Sequence, residues 1–538
     1  MSEQTATEPN PPMVWDAWGV LEGHKPLSPE IRALIGGAFG ISAETVSRPG
    51  EDAVRLRDSA LTADQSAELA AIVGEGNVST DHHDRLVRAG GKSTFDLLRR
   101  RSADVQDAPD AVVTPVDHDE VLALLTYCSD ARIAVVPFGG GTSVVGGVDP
   151  VRGAFDAVIA LDLKRLDRLS AVDVVSGTAT LGAGLTGPQA EKLLGEQGLS
   201  LGHFPQSFQF ASIGGFAATR SSGQASAGYG RFDDMVHHLK VATPRGTVEL
   251  GRAPASAAGP DLRELFVGSE GTLGVITEVT LRVHPVSTNT AYEAWSFPDF
   301  TTGAQALRAL VQVGAAPTVL RLSDEAESGV NLAMADRIGG ATATGGCLAI
   351  TTFEGTEAHV AARSAEAAAI LAASGGTSLG ADPAVAWEHG RYNAPYLRDS
   401  LLDSGVLCET LETATTWANL ANLKAAVTGA LTEALSAQGT PPLVLCHISH
   451  TYPTGASLYF TIICAQTADP MAQWGVTKTA ACDAIIAAGG TITHHHAVGA
   501  DHRKWMTDEI GDLGVEILRA VKAVVDPAGI LNPGKLLP

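Results

Sequence analysis

Three consecutive histidines near the C-terminal end are the most conspicuous candidates for chemistry. They are His494, His495 and His496, in the segment "THHHAVG". Imidazole titrates near neutral pH, so these side chains could carry protons or bind a metal. In an extended segment successive side chains alternate, which would place His494 and His496 on one side and His495 on the other, and in a helix they would fan out. The three rings are therefore not expected to converge on one ion, and no metal site is predicted.

Three further stretches, rich in glycine and other small residues, could bind a phosphorylated cofactor. The first, "PFGGGTSVVGG", follows an apolar strand pattern and offers successive backbone N–H groups, which suits a diphosphate. It does not match the GxGxxG pattern of a Rossmann fold. The second is "PQSFQFASIGGFAATRSSG" and the third is "GSEGTLG".

The order of these stretches resembles that of the flavoprotein family typified by vanillyl-alcohol oxidase, over about residues 110–285. The resemblance implies an α+β fold, with a two-subdomain FAD-binding domain of that type and an α+β substrate-binding cap domain. It assigns the pyrophosphate to the first stretch, flavin contacts to the second, and the adenine and ribose side to the third. The residues carried over as cofactor-binding are Pro137, Phe138, Gly139, Gly140, Gly141, Thr142, Ser143, Pro205, Gln206, Ser207, Phe208, Gln209, Phe210, Ala211, Ala218, Thr219, Arg220, Ser221, Gly268, Ser269, Glu270, Gly271, Thr272, Leu273 and Gly274.

Members of this family often tether the flavin through a histidine or a cysteine. The first glycine-rich stretch contains neither residue, so FAD is predicted to bind noncovalently. His203, in "HFPQS", is the alternative attachment point, but we expect it to line the site or to pack in the interior.

The C-terminal half carries a second group of motifs, namely "VLRLSD", "YLRDS", "CHISHTYPTGASLYFTI" and "THHHAVG". Together with "VWDAWG" near the N-terminus they resemble the alkyldihydroxyacetonephosphate synthase family, over nearly the whole chain. The resemblance implies a flavin-dependent transferase of ether lipid synthesis. Such an enzyme exchanges the acyl chain of acyl-dihydroxyacetone phosphate for a long-chain fatty alcohol, with no net oxidation.

The same resemblance assigns roles to single residues. Tyr459 matches the family's catalytic tyrosine, which relays a proton and needs a basic neighbour because a free phenol has a pKa of about 10. At least one residue of the histidine triplet is expected to polarise Tyr459 or the substrate, and another to be structural. Arg398 matches the phosphate-binding arginine, whose planar fork of donors suits a phosphate monoester. Arg321 is expected to organise the active-site histidines.

An FAD-dependent D-2-hydroxyacid dehydrogenase is the alternative. Such enzymes share the flavin stretches and the closing "DPAGILNPGK", and typically carry a histidine–glycine–aspartate–glycine–asparagine–x–histidine run that helps to bind a divalent metal. This chain has "HTYPTGASLY" there, with His450 in place of the first histidine, Tyr459 in place of the second, and no aspartate. The loss of a metal ligand and the gain of a phenol favour the synthase.

The elements that position these residues follow from the sequence pattern. "DAVVTPVDHDEVLALLTYCSDARIAVVPF" has a β–α–β rhythm, strand patterns continue to about residue 287, and helical and strand-like runs then alternate. The predicted division is an N-terminal extension (1–105, its first dozen residues disordered), an FAD-binding domain (106–287), a substrate-binding cap domain (288–490) and a C-terminal active-site loop and helix that return to the FAD-binding domain (491–538).

Composition limits the partners and the location. With 538 residues, 45% hydrophobic content and a net charge of −23, the chain suits a multidomain enzyme rather than a nucleic-acid-binding protein. The six scattered cysteines, the absence of a secretory signal and the absence of a long apolar run predict a cytoplasmic location. Lipid substrates imply a transient contact with a membrane surface, and the resemblance implies a homodimer.

Overall fold

The computed structural model describes residues 11–102, 107–330 and 345–538, together with the backbone of Gln4–Thr5. Most of the first dozen residues, predicted to be disordered, therefore lie outside the described residues. Gln4–Thr5 form a two-residue strand that pairs antiparallel with Arg168 and Leu169. The predicted disorder does not extend to this pair.

The N-terminal extension consists mainly of short helices that begin at good capping residues. Its elements are β1 (Gln4–Thr5), α1 (Pro29–Phe39), α2 (Ala63–Val73), β2 (Val78–Ser79), α3 (His82–Val87) and α4 (Thr94–Arg101). The Ser28 hydroxyl accepts a hydrogen bond from the backbone N–H of Ile31, the third residue of α1. Capping boxes open α2 at Thr62 and Gln65, and α4 at Ser93 and Asp96. These side chains satisfy N–H groups that would otherwise lack partners at the start of each helix.

The middle of the chain forms two main sheets that share one helix, and the eighth and twelfth strands of the chain form a separate two-stranded sheet. Its elements are β3 (Ala111–Val113), α5 (His118–Asp130), β4 (Ile133–Phe138), β5 (Ala157–Asp162), β6 (Arg168–Asp173), β7 (Thr178–Gly182), α6 (Gly187–Gly195), β8 (Leu199–Ser200), α7 (Ile213–Ala218), α8 (Ser226–Tyr229), α9 (Phe232–Met235), β9 (Val236–Thr243), β10 (Gly246–Leu250), α10 (Arg263–Phe266), β11 (Val275–Arg282) and β12 (His284–Pro285). One sheet has the order β2-β3-β5-β4, and the other has the order β1-β6-β7-β11-β9-β10.

The predicted β–α–β unit is confirmed. Strands β3 and β4 both pair parallel with β5, and α5 connects β3 to β4. The apolar side chains of α5, among them Leu124 and Leu125, belong to a core that also includes Ile159 of β5 and Val275 of β11. Helix α5 therefore packs between the two sheets. The first glycine-rich stretch leaves the sheet at the end of β4.

The remaining strands form one eight-stranded antiparallel sheet. Its elements are β13 (Asn289–Phe297), α11 (Phe300–Gln312), β14 (Val319–Ser323), α12 (Glu325–Gly329), β15 (Cys347–Gly355), α13 (Glu357–Ala373), β16 (Thr377–Gly380), α14 (Asp382–Gly390), α15 (Ala394–Leu402), β17 (Val406–Thr416), α16 (Leu420–Ala437), β18 (Leu443–Ile448), β19 (Thr451–Tyr452), β20 (Gly455–Ala465) and α17 (Pro470–Ala487). The strand order is β16-β13-β15-β14-β18-β20-β17, with β19 beside β20. The predicted domain boundaries remain predictions, and all eight strands lie within the segment predicted as the cap.

The two faces of this sheet have different roles because side chains alternate along each strand. On β20, Leu458, Phe460 and Ile462 point into a core shared with α11, α13, α16 and α17. Tyr459 and Thr461, between them, line a cavity on the opposite face. The same alternation places Arg321 of β14 and His447 of β18 on the cavity face. Hydrophobic packing on one face thus fixes which polar side chains of "GASLYFTI" and "VLRLSD" reach the site.

The C-terminal segment returns to the flavin stretches. Helix α18 (Met506–Val525) is followed by a turn in which Leu531 forms an isolated parallel bridge with Val135 of β4. Lys522 of α18 donates a hydrogen bond from Nζ to the carbonyl of Thr272, 2.8 Å away. No helix in the described ranges combines the length and apolar character needed to span a bilayer.

Candidate active site

The flavin stretches and the polar face of the cap sheet enclose a cavity of about 450 Å³. Its wall contains predicted catalytic residues, namely Tyr459, His495, His496, Arg321 and Arg398. It also contains most of the predicted cofactor-binding residues, namely Pro137, Phe138, Gly139, Gly140, Gly141, Thr142, Ser143, Pro205, Gln206, Ser207, Ala211, Ala218, Thr219, Ser221, Glu270, Gly271 and Gly274. Segments more than 300 residues apart in sequence therefore meet at one site.

The glycine-rich stretch has the close packing expected of a cofactor cradle. A Cβ atom on Gly140 would lie 1.9 Å from the carbonyl oxygen of Phe210, and one on Gly139 would lie 2.3 Å from Ser212 Oγ. Gly141 has a φ of +67°, which favours glycine. The buried Nε2 of Gln206, at the cavity wall, has no partner within the described chain and can donate to a bound molecule. These features fit a flavin dinucleotide.

Eight predicted cofactor-binding residues do not line the cavity. They are Phe208, Gln209, Phe210, Arg220, Gly268, Ser269, Thr272 and Leu273. The guanidinium of Arg220 pairs instead with Asp233 at 3.2 Å and Glu264 at 2.5 Å. Leu273 is buried in the core of the six-stranded sheet. Successive side chains of one motif point in different directions, so only some of them can face the cavity. The others hold the backbone of the flavin stretches in place through ion pairs, as Arg220 does, or through core packing, as Leu273 does.

His203 packs in the interior, one of the two roles expected for it. Its Nε2 lies 3.0 Å from Ser221 Oγ, and its ring contacts Phe216 and Phe232 edge-on. Burial lowers the pKa of His203 to about 3. The ring is not part of the cavity wall, which does not favour it as an attachment point for the flavin.

Tyr459 lies among three imidazole rings. Its ring stacks against His447 at a centroid distance of 4.9 Å and against His495 at 6.1 Å, and it meets His496 edge-on at 5.6 Å. Burial raises the pKa of the Tyr459 phenol to about 12, and the nearby Glu409 and Glu412 carboxylates add to this. The phenol is therefore protonated at neutral pH, with basic groups around it.

Arg321 organises His447 rather than the histidine triplet, which refines the sequence expectation. Its Nη2 lies 2.9 Å from His447 Nδ1, and it also contacts the carboxylate of Glu327. That carboxylate lies 2.9 Å from His447 Nδ1. Although burial acts to raise it, the pKa of Glu327 is held well below its ordinary range by His447 and Arg321. His447, which the sequence analysis did not single out, is therefore held in place against the Tyr459 ring.

The buried carboxylate of Glu412 sets the conformation of the histidine triplet. It accepts hydrogen bonds from the backbone N–H groups of His494 (2.6 Å), His495 (3.2 Å) and His496 (2.9 Å), and from the Thr493 hydroxyl at 2.6 Å. Four donors converging on one carboxylate bend the segment, so it is neither an extended strand nor a helix. As a result His495 and His496 line the cavity together, and the alternation expected for an extended segment is wrong.

The triplet is held in its neutral form. Burial lowers the pKa of His494, His495 and His496 to about 4 each, although Glu412 acts in the opposite direction. A neutral imidazole has one nitrogen free to accept a proton. The rings that contact Tyr459 can therefore act as bases at neutral pH.

Glu270 links a flavin stretch to the histidine loop. Its carboxylate oxygens accept hydrogen bonds from the backbone N–H groups of Val498 (2.9 Å) and Gly499 (2.7 Å). Asn532, in the C-terminal turn, donates from Nδ2 to the carbonyls of Gly147 (3.0 Å) and Glu270 (2.7 Å). The turn thereby joins the first and third flavin stretches, a role that the sequence did not indicate.

Arg398 is buried at the cavity wall and is partly engaged before any ligand binds. Its Nε and Nη2 donate to Asp399 Oδ1 at 3.1 and 3.0 Å, and its Nη1 donates to the carbonyl of Lys92 at 2.7 Å. A guanidinium has five N–H groups. Two are not used by these bonds within the described residues, one on each terminal nitrogen, and they suit the two-point grip on a phosphate predicted for Arg398.

Several polar residues of the site were not found from the sequence. They are Glu412, Glu327, Tyr452 and Arg391. For Glu412 the sequence did offer a signal, because a charged residue lies within the largely apolar strand pattern "VLCETLETATT". A charge in such a pattern indicates a buried group with a specific partner. The arginine of "HGRYN", Arg391, also lines the cavity and lies over the rings of Phe204 and Tyr392 at 5.1 and 5.0 Å.

Comparison with known proteins supports an FAD enzyme. Residues 109–251 match the "FAD binding domain" family, and residues 286–536 match "FAD linked oxidases, C-terminal domain". The chain is 34% identical over 490 residues to the alkyldihydroxyacetonephosphate synthase of Dictyostelium discoideum, covering 88% of this chain and 80% of that protein. It is 28% identical over 476 residues to the mitochondrial D-lactate dehydrogenase [cytochrome] of Arabidopsis thaliana, covering 86% and 78%.

Solved structures agree with these matches. A structure of alkyldihydroxyacetonephosphate synthase superimposes with a TM-score of 0.82 at 30% identity, covering 97% of this chain and 98% of the other. The fold alone is shared with p-cresol methylhydroxylase, with a TM-score of 0.67 at 15% identity, covering 88% and 96%. The predicted α+β fold of the vanillyl-alcohol-oxidase type and the predicted FAD cofactor are thus confirmed.

Replacing Glu412 by glutamine should disorder the histidine loop. The glutamine side chain has one acceptor oxygen where the carboxylate has two, and its NH₂ group would face the N–H donors of the loop. The unfolding free energy measured by chemical denaturation should therefore fall by about 3 kcal/mol. Glu249→Gln, on the exposed strand β10, is the matched control and should change stability by less than about 0.5 kcal/mol. Equal stability of the two variants would contradict the role given to Glu412.

The buried histidines should make stability depend on acid pH. Because their folded pKa is about 4 and the ordinary value is 6.5, the unfolded chain takes up protons first as the pH falls from 6.5 towards 4. Unfolding free energy should then decrease, by at most about 1.4 kcal/mol per pH unit for each histidine. Urea unfolding curves at a series of pH values between 6.5 and 4 give the dependence of unfolding free energy on pH. This dependence should be weaker for His496→Asn than for the wild type, and the exposed control His389→Asn should show the wild-type dependence.

Proposed function

The chain belongs to the alkyldihydroxyacetonephosphate synthase family, and on that premise we propose that it makes an ether lipid precursor. It exchanges the acyl chain of acyl-dihydroxyacetone phosphate for a long-chain fatty alcohol, giving alkyl-dihydroxyacetone phosphate without net oxidation. The observation that carries the proposal is one cavity lined by the FAD-binding stretches, Tyr459, the histidine loop and Arg398.

The proposed cofactor site uses the residues that line the cavity from the three flavin stretches. Pro137–Ser143 would hold the pyrophosphate. The flavin would be held by Pro205, Gln206, Ser207, Ala211, Ala218, Thr219 and Ser221, and the adenine and ribose side by Glu270, Gly271 and Gly274. When bound, oxidised flavin would supply an electron-accepting ring for the exchange. The protein supplies orientation, exclusion of water and proton transfer.

Phosphate binding is assigned to Arg398. Its two remaining N–H groups match two oxygens of a phosphate monoester, and the charge of Asp399 balances the buried guanidinium while no substrate is bound. Arg391 offers a second cation at the same cavity. These local charges oppose the repulsion that the net charge of −23 would exert on an anionic substrate.

Proton transfer is assigned to Tyr459 with its imidazole neighbours. The incoming alcohol must lose its proton as it attacks, and a phenol with a pKa of about 12 can pass that proton on only if a base accepts one. His447 and His495, whose rings both lie nearly parallel to the Tyr459 ring, are the candidates. Arg321 and Glu327 act indirectly by holding His447 in place.

The aliphatic chain has an apolar region of the cavity available to it. Side chains from α1, α15, β17 and β20 contribute to the wall, namely Ile31, Leu397, Leu401, Cys408 and Ile463. Burial of methylene groups in such a region favours binding by about 0.8 kcal/mol each. A long-chain alcohol is therefore a better fit than a short hydroxy acid, and the D-2-hydroxyacid dehydrogenase alternative is not favoured.

The remaining proposals concern partners and location. The substrates are small lipid molecules, so a transient contact with a membrane surface is proposed. A homodimer is proposed on the family resemblance, and a cytoplasmic location on the six cysteines, which are all free in the structure.

The function is tested by supplying palmitoyl-dihydroxyacetone phosphate and a radiolabelled C16 alcohol without an electron acceptor. Label should enter an acid-stable ether lipid. The same protein should not reduce a dye when given D-lactate. Dye reduction without ether formation would establish the dehydrogenase instead.

Tyr459→Phe should lower the exchange rate by about 100-fold or more, because it removes the proton carrier and keeps the ring. FAD content per chain should stay unchanged. Tyr127→Phe, on α5 and away from the cavity, is the matched control and should retain full activity. An active Tyr459→Phe variant would remove Tyr459 from the mechanism.

Noncovalent binding of FAD predicts that acid denaturation releases the flavin into the supernatant. The purified protein should be yellow, and the precipitate after acid treatment should be colourless. Flavin retained by the washed precipitate would show a covalent link, and peptide mapping would then locate it.

A further inference from the structure

Three histidine side chains from two segments bring their ring nitrogens together beside the cavity. Each of His450, His494 and His495 offers a nitrogen, and these nitrogens lie within 4.8 Å of one another. In the part of the chain that the structure describes, no other group of three histidine, cysteine or acidic side chains meets this spacing. His450 follows β18, whereas the other two lie on the loop held by Glu412.

The spacing is close to that of a tetrahedral metal site. Zinc–nitrogen bonds of about 2.0–2.1 Å place two imidazole nitrogens about 3.3 Å apart. The Nδ1 atoms of His494 and His495 are 3.0 Å apart. The ring of His450 lies 5.1 Å from that of His494 and 5.0 Å from that of His495, centroid to centroid. An inward shift of His450 by up to about 1.5 Å would bring its nitrogen from the 4.8 Å limit to this spacing and complete a three-nitrogen site.

The outer nitrogens of two of these rings already have partners. His450 Nδ1 lies 3.0 Å from Ser222 Oγ and 2.8 Å from Ser226 Oγ. His494 Nε2 lies 2.6 Å from Tyr452 Oη. Hydroxyl oxygens can accept an N–H, which leaves the lone pairs of His450 Nε2 and His494 Nδ1 directed at the shared space. Metal-binding histidines are commonly oriented by such a partner on the second nitrogen.

A buried negative charge lies next to the same space. Glu412 Oε2 is 3.5 Å from His495 Nδ1. The facing cation, Arg231, is paired with Asp233, with Nε 3.0 Å from Oδ1. A dication placed among neutral rings therefore has a carboxylate to balance part of its charge.

We propose that His450, His494 and His495 form a binding site for one divalent transition-metal ion, with Zn²⁺ as the best fit to three imidazoles. His450 and His495 line the cavity, so the fourth coordination position faces it and can accept an oxygen of a bound anion. The expectation from the sequence that the triplet binds no metal considered only its three members. Folding separates His496 from the cluster and adds His450.

The site is tested on the full-length, FAD-loaded protein after removal of metals with a chelator. Titration with zinc sulfate in equilibrium dialysis, with metal analysis, should show one saturable ion per chain. His450→Asn removes a ligand, and Tyr452→Phe removes the partner of His494. Each should weaken zinc binding by about tenfold or more.

Two matched controls separate this site from surface histidines. His389→Asn, at an exposed position, and Tyr127→Phe should bind zinc as the wild type does. FAD content and melting temperature report whether each variant is folded, and Tyr452→Phe decides the question if His450→Asn does not fold. Absence of a stoichiometric ion, or equal affinity in all four variants, would overturn the proposal.

The metal site does not depend on the proposed lipid exchange. A zinc ion on His495 would occupy the lone pair that proton transfer needs and would leave His447 as the base. Zinc binding is therefore measured without substrate, and the exchange reaction is assayed in the presence of a chelator. Failure of one proposal is therefore visible separately from failure of the other.

Discussion

The buried carboxylate of Glu412 is the interaction on which the arrangement of the site depends. It collects four hydrogen-bond donors from Thr493–His496 and thereby fixes a loop that has no regular secondary structure. Its own position is set by β17, where it lies opposite Tyr459 of β20 in the antiparallel register. One strand pair therefore places both the Tyr459 phenol and the group that holds the histidines beside it.

Further contacts join this pair of strands to the flavin stretches. Glu270 receives N–H groups from the segment that follows the histidines, and Asn532 joins the stretch containing Glu270 to Gly147. The N-terminal extension contributes as well, because the Lys92 carbonyl accepts from Arg398 and the Trp18 backbone N–H donates to Asp399. Each part of the chain thus fixes one side of the same cavity.

Charge inside the site is balanced group by group. Arg321 is neutralised by Glu327, and Arg398 by Asp399. The three imidazoles beside Glu412 remain neutral because burial outweighs its charge. Such an interior can accept an anionic substrate at Arg398 and leave bases next to Tyr459. A strongly acidic protein can therefore hold a site for a phosphate ester.

The sequence by itself determined the features encoded in contiguous residues. The β–α–β unit and the glycine-rich cradle follow from local patterns, because strand alternation and glycine backbone freedom act over a few residues. Tyr459 in "GASLYFTI" was identified by the resemblance of its motif to a known family, and the histidine triplet is visible in the sequence itself. The tertiary structure alone decided which partners these residues meet. Glu412, His447 and His450 were placed by strand register and by the packing of the cap on the flavin stretches, through contacts between residues 12 to 228 positions apart in sequence. Buried charges and imidazoles take their protonation states from those distant partners, and no local pattern specifies them.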